Sequence, residues 1–173
     1  MTAFSGCAST IGLVVRTWPE PVERVAAHLR QRGADARLEE FSKGTPTAAA
    51  AARAIGCEAS QIVKSMVFIC DGLPVLALVP GDRRADPAKV ASAAGARYAM
   101  IAKPDEVFAA TGFEPGAVAP FPSRRVERVL LDRELLLQEI VWVGAGSEHH
   151  MAGLAPMDLL RLAGALPVDL AES

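Results

Sequence analysis

Two apolar runs joined by a tight turn constrain this chain more than any other feature. Ile62–Cys70 (IVKSMVFIC) and Pro74–Val79 (PVLALV) stand either side of Asp71-Gly72. Asp-Gly tolerates the positive φ angles of two-residue turns, so the stretch predicts an antiparallel hairpin. One residue in it does not fit. Lys64 lies among Val, Ile, Met and Phe, where burying an unpaired ammonium would cost several kcal/mol. Two readings follow. The stem lies along apolar surface while the head reaches water, as on an edge strand, or the cation sits at a pocket rim, ready for a phosphate or carboxylate. Pattern alone leaves both open.

Around the hairpin, helices and strands alternate irregularly. Val22, Val25, Ala26 and Leu29 recur at helical spacing between Pro21 and Arg32, and Gly33 supplies a stop. Ala36–Phe41 alternates like a short strand. Thr47–Ile55 is an alanine-rich helix closed by Gly56, with Thr45-Pro46 resembling an N-cap and first-turn proline. Its small side chains suit tight packing against a sheet. Pro87–Ala94 and Pro104–Ala110 read as helices, and Tyr98–Ala102, Arg125–Leu131, Ile140–Val143 and His149–Leu154 as strands. A short helix starts at Asp132-Arg133-Glu134, and Pro156–Ala163 is the last predicted element. This order predicts one mixed α/β domain over residues 1–173, largely antiparallel rather than doubly wound.

The totals narrow the function. With 173 residues, 51% apolar and 22% charged, the chain suits a single well-buried domain. A formal charge of −2 argues against a surface that grips long nucleic acids such as DNA, yet leaves room for a small basic site. Cys7, Cys57 and Cys70 are far apart and suggest neither zinc nor a disulfide framework. The first sixteen residues lack the basic start of a signal peptide, and no apolar run approaches the ~20 residues of a membrane span. A soluble cytoplasmic protein is expected.

Three places have the residue types for chemistry. Besides Lys64, the irregular stretch Thr111–Ser123 (TGFEPGAVAPFPS) packs two glycines and three prolines. Such a segment either is a rigid surface connection or aims successive N–H groups at an anion or carbonyl oxygen. His149 and His150, adjacent on a strand, point to opposite faces and cannot chelate jointly; with only His28 elsewhere, no metal is expected. Gly-rich nucleotide fingerprints, a Walker loop and a Gly-x-Ser-x-Gly elbow are all missing, and no cofactor is expected. Ser65 follows Lys64 onto the other strand face, which speaks against a Ser-Lys dyad.

Taken in order, TPTAAAAARAIGCEASQIVKSMVF (45–68), LVPGDRR (78–84), TGFEPGAVAPF (111–121), VGAGS (143–147) and LAPMDLL (154–160) resemble the YbaK/prolyl-tRNA synthetase-associated editing domains. That resemblance implies a barrel-like sheet with surrounding helices. It also implies a free-standing hydrolase that removes a small amino acid, of the alanine, cysteine or serine class, from mischarged tRNA. The partners implied are the acceptor end of that tRNA, often tRNA for proline, and an aminoacyl-tRNA synthetase. Lys64 matches the family lysine that engages the terminal adenosine or its phosphate. Gly116, Ala117, Val118, Ala119 and Pro120 match a Gly-x-x-x-Pro loop whose amides orient the ester, with water as nucleophile and the ribose 2′-hydroxyl assisting. The same motifs put Thr45, Ser65, Met66, Gly144, Gly146 and Ser147 at the substrate pocket. His150 matches a histidine that shapes the amino-acid end, and Phe41 stands where some members have a tyrosine. A catalytically silent module that binds tRNA ends or a synthetase is the alternative, because a fold does not guarantee hydrolysis.

Overall fold

In the computed structural model, which describes residues 17–173, each helix ends where a chain-breaking residue takes over. Cys7 and the N-terminal stretch read above for a signal peptide lie outside the described residues. Helix α1 (Glu20–Gln31) buries Val22, Val25, Ala26 and Leu29 and leads into β1 (Ala36–Glu40). Helix α2 (Ala48–Ile55) follows and stops at the left-handed Gly56. Its N-cap is Thr47, whose side chain accepts from the Ala50 N–H. The predicted cap, Thr45, is held elsewhere: its N–H and hydroxyl both donate to the Glu148 carbonyl, at 2.8 and 3.2 Å. A tertiary contact thus selects between two threonines that look alike locally.

The hairpin forms as the turn dictates, from β2 (Val63–Cys70) and β3 (Leu73–Pro80), with Asp71 and Gly72 at φ of 47° and 86°. Then come α3 (Pro87–Ala94), the three-residue β4 (Ala99–Ile101) and α4 (Pro104–Thr111). The chain continues through β5 (Arg128–Asp132), a 3-10 turn over Arg133–Leu137, β6 (Val141–Gly144) and β7 (His150–Leu154). Helix α5 (Pro156–Ala163) and β8 (Ala165–Val168) complete it. Strand β8, which carries Pro167, is not apparent in the sequence. Proline is tolerated there because β8 is a sheet edge.

The class is mixed α/β, but the strands form two sheets where the sequence predicts one. A five-stranded sheet runs β4-β2-β3-β5-β8 and a three-stranded one β1-β7-β6. Pairings are antiparallel except β3 with β5 and β5 with β8. Alternation along a strand reports which face is buried, not which neighbour is paired, so this division is invisible to periodicity. The sheets meet where Ile62 bridges Trp142. Ala51 and Ala52 of α2 pack there with Ile62, Trp142 and Met151, as expected of a small-residue helix.

The C-terminal segment is tied down by one carboxylate. Asp132, 1% exposed, accepts from the N–H groups of Leu170 and Ala171 at 2.8 and 3.0 Å and from that of Glu134 at 2.9 Å. Removing it would strand buried donors, each costly in an apolar setting. Asp132→Ala is therefore expected to destabilise the fold by about 2–4 kcal/mol, measured by urea denaturation; a loss within error of zero would show that these bonds are replaced by water.

Candidate active site

The cavity exists because β4 is too short. Strand β3 pairs β2 along its full length, but β4 covers only Phe68–Cys70. The other edge of β2 from Val63 to Met66 therefore opens onto a cavity of about 570 Å³. That edge carries usable backbone. The Val67 carbonyl accepts from the Ala102 N–H on the β4 side, so the polar groups of Ser65, two residues earlier, point the same way, beyond the reach of β4. This explains how Val63, Lys64, Ser65 and Met66 all line one cavity: it lies along an edge, not over a face. The Ser65 Oγ is buried there and has no hydrogen-bond partner among the described residues.

Lys64 stands in the cavity wall, half-buried, and its ammonium donates to the Arg83 carbonyl. Among the described residues no carboxylate forms an ion pair with it. Burial lowers its pKa, the nearby Arg84 adds to that, and Asp82 opposes both. Of the cations that follow β3 in the chain, Arg83 reaches Glu134 at 3.3 Å, while Lys89 is engaged by Asp169 at 2.8 Å and the Ala171 carbonyl at 2.7 Å.

Opposite lies the Gly-rich stretch, and it is no surface connection. Phe113, Ala117, Val118, Ala119 and Phe121 are all buried. Arg24 of α1 donates to the Gly112 carbonyl at 2.7 Å, and His28 stacks on Phe121 with ring centres 5.2 Å apart. Gly116 adopts φ of 83°, in the region glycine favours. The Ala117 N–H is consumed by the Glu114 carbonyl at 3.0 Å, whereas those of Gly116 and Val118 have no partner among the described residues. Gly144 lets this loop settle across the end of β6, since a Cβ there would lie 2.7 Å from the Val118 carbonyl oxygen.

Lys64, Thr45, Ser65, Met66, Gly116, Val118, Gly144, Ser147 and His150 thus share one cavity, which is the geometric condition a common site requires. Ala117, Ala119 and Pro120 support the loop from behind. Gly146 instead packs on Pro21, whose carbonyl oxygen would be 2.6 Å from an added Cβ. Phe41 is also outside the wall. Its side chain joins the Trp142 cluster, and its backbone holds His149 through an N–H donated to the His149 carbonyl and a carbonyl facing His149 Nδ1. Sequence reasoning missed Thr47, Ala48, Gly81 and Met151 in the lining; the α2 residues give no signal beyond helix-prone composition.

His150 opens β7 and faces the cavity, whereas His149, expected on the same strand, lies in the turn before it and is exposed. His150 is 4% exposed, with Trp18 edge-on at 5.3 Å and Glu40 Oε1 4.0 Å from its Nε2. The Ser147 hydroxyl accepts from the His149 N–H at 3.0 Å and lies 2.5 Å from His150 Nδ1. The hydroxyl keeps a second lone pair as well as its proton, so it can pair with Nδ1 in either tautomer of the imidazole. Burial lowers the His150 pKa; Glu40 opposes that and His149 reinforces it.

Three comparisons agree with this geometry. Residues 42–162 match the aminoacyl-tRNA editing domain. A proline–tRNA ligase of Nitratidesulfovibrio vulgaris is 37% identical over 105 residues, 60% of this chain but only 18% of the ligase, so the chain spans under a fifth of that relative. The Bacillus subtilis protein YwhH, itself uncharacterised, is 32% identical over 139 residues, 80% of this chain and 88% of YwhH. Among solved structures, one described as a candidate trans-editing enzyme for prolyl tRNA synthetase superposes with a TM-score of 0.84 at 35% identity, covering 91% of this chain and all of that one.

The depressed His150 pKa has a testable sign. Below about pH 6.5 the unfolded chain takes up the proton before the folded one does, so stability falls as the pH drops through this window. His28, also lowered by burial, adds in the same direction. His150→Gln is expected to flatten the decline in urea midpoint between about pH 7 and 5; an unchanged slope would mean that His150 is not held neutral by the fold. The fold and the comparisons converge: the chain belongs to the aminoacyl-tRNA editing domain family.

Proposed function

We propose that this protein is a trans-acting deacylase that hydrolyses the ester of a small amino acid, of the alanine, cysteine or serine class, on a mischarged tRNA, with tRNA for proline the favoured carrier. The observation that carries this reading is that Lys64 shares one cavity with Gly116 and Val118, whose N–H groups have no partner among the described residues. An ester needs little activation. Two fixed N–H donors aimed at its carbonyl oxygen polarise the ground state and bind the oxyanion more strongly as charge develops.

Lys64 meets the anionic end of the substrate, exchanging the Arg83 carbonyl for a phosphate or hydroxyl of the terminal adenosine. Water attacks the ester carbon, the tetrahedral intermediate collapses, and the ribose 3′-oxygen leaves and takes up a proton. The neighbouring 2′-hydroxyl is the nearest proton carrier belonging to the substrate. His150, neutral and bound through Nδ1 to Ser147, bounds the amino-acid end rather than serving as a free base. The volume of about 570 Å³ suits a nucleoside with a small acyl group. The proline–tRNA ligase kinship and the trans-editing relative both support tRNA as the carrier.

The decisive experiment is single-turnover deacylation of alanyl-, seryl-, cysteinyl- and threonyl-tRNAs by the purified protein. Lys64→Ala is expected to lower kcat/KM by about 10- to 100-fold. Gly116→Val, which demands a strained φ beside the ester, should cost at least about 10-fold while circular dichroism stays native. Wild-type rates in Lys64→Ala would remove the assigned role. Acceptor-end binding without hydrolysis of any of the four esters would make the protein a binding module.

A further inference from the structure

The proposed reaction leaves one charge without a counterpart. An aminoacyl ester carries an α-ammonium beside the bond that is cut, yet no acidic side chain lines the cavity and Lys64 contributes a positive charge to its wall. A cation brought close to that lysine needs a nearby anion to offset repulsion and lost hydration.

Glu148 is placed to supply it. It follows Ser147 and precedes the two histidines at the cavity rim. Its carbonyl is clamped by Thr45, through the N–H at 2.8 Å and the hydroxyl at 3.2 Å, so its backbone is fixed while its side chain stays exposed. The carboxylate lies over the bare Cα of Gly116: a Cβ built there would be 3.6 Å from Glu148 Oε1. Among the described residues it forms neither an ion pair nor a hydrogen bond. The other carboxylate nearby, Glu40, stands behind His150, 4.0 Å from its Nε2.

We infer that Glu148 is a specificity-determining residue that receives the α-ammonium of the aminoacyl ester. This rests on the deacylase reading above and adds to it a requirement for a free amino group. The α-nitrogen is one carbon from the ester carbonyl. An ester oxygen held by the Gly116 N–H therefore brings the ammonium to the residue beside which the Glu148 carboxylate stands. The Gly116 region reads both ends of the scissile unit, the oxygen through backbone and the nitrogen through its carboxylate neighbour. Glycine at 116 serves this arrangement through its φ of 83°, which places the backbone where the neighbouring carboxylate stands in ordinary contact range.

The test compares two esters on the same tRNA: alanyl, and its α-hydroxy counterpart lactyl, which lacks the ammonium. Each enzymatic kcat/KM is divided by the uncatalysed rate of that ester, since the ammonium itself makes aminoacyl esters labile. The wild type is expected to favour the alanyl ester by about 10-fold or more in this normalised ratio. Glu148→Gln should bring the ratio to near one, and Glu148→Asp should restore part of it. An active wild type whose preference survives Glu148→Gln, or a variant that loses both rates equally, overturns the role of Glu148 alone. If the alanyl ester is not cleaved, the pair is built on whichever of the seryl, cysteinyl and threonyl esters is, with its α-hydroxy counterpart; a wild type that cleaves none of them overturns the deacylase reading and this inference together.

Discussion

The single bridge between Ile62 and Trp142 decides where this molecule can have a site. Ile62 is the residue before β2, and Trp142 is the second residue of β6, so the bridge draws the three-stranded sheet against the start of the five-stranded one. The next residues of β2 are left between two neighbours, too far along for β6 and too early for β4. An unpaired strand edge ordinarily invites aggregation. Here the Gly116 loop and the start of α2 close around it, turning exposed backbone into a lined cavity. Alanines at 48, 49 and 51 leave that space unfilled.

Rigidity on the loop side has an equally specific origin. Arg24 and His28, one turn apart on α1, hold the Gly112 carbonyl and the Phe121 ring, so the helix grips the loop at both ends. In the middle the Ala117 N–H is engaged by the Glu114 carbonyl, while those of Gly116 and Val118, like that of Ala119, have no partner among the described residues. Donors fixed before substrate arrives need no reorganisation as charge develops on an ester oxygen. The order of cause is packing first, chemistry second.

Much of this was legible in the residues, for reasons that also explain what was not. Asp71-Gly72 and the glycines after α2, α3, α4 and α5 encode local backbone angles, and local rules predict them well. The ordered motifs identified the family and the editing-domain fold. Edge pairing was not legible, since alternation in QIVKSMVFI reveals faces and the cavity lies along an edge. Thr45 and Thr47 have equal claims to a helix cap until Glu148, more than a hundred residues away, engages one of them. Phe41 is the first residue after the end of β1, where a small change in twist decides whether a ring enters the cavity or the Trp142 cluster.

Lys64 has a carbonyl partner, not a carboxylate, and this bears on how a polyanion finds the cavity. A lysine in a tight ion pair presents a dipole whose field dies away quickly; one resting on a peptide oxygen keeps its full charge visible from outside. In a chain of net charge −2, that local charge would orient an anionic ligand, such as the tRNA end proposed above, before any contact forms. The attraction extends about one Debye length, roughly 8 Å at physiological ionic strength. Capture of an anionic ligand there is thereby governed by the last stretch of approach, since the rest of the mildly acidic chain does not add to the pull.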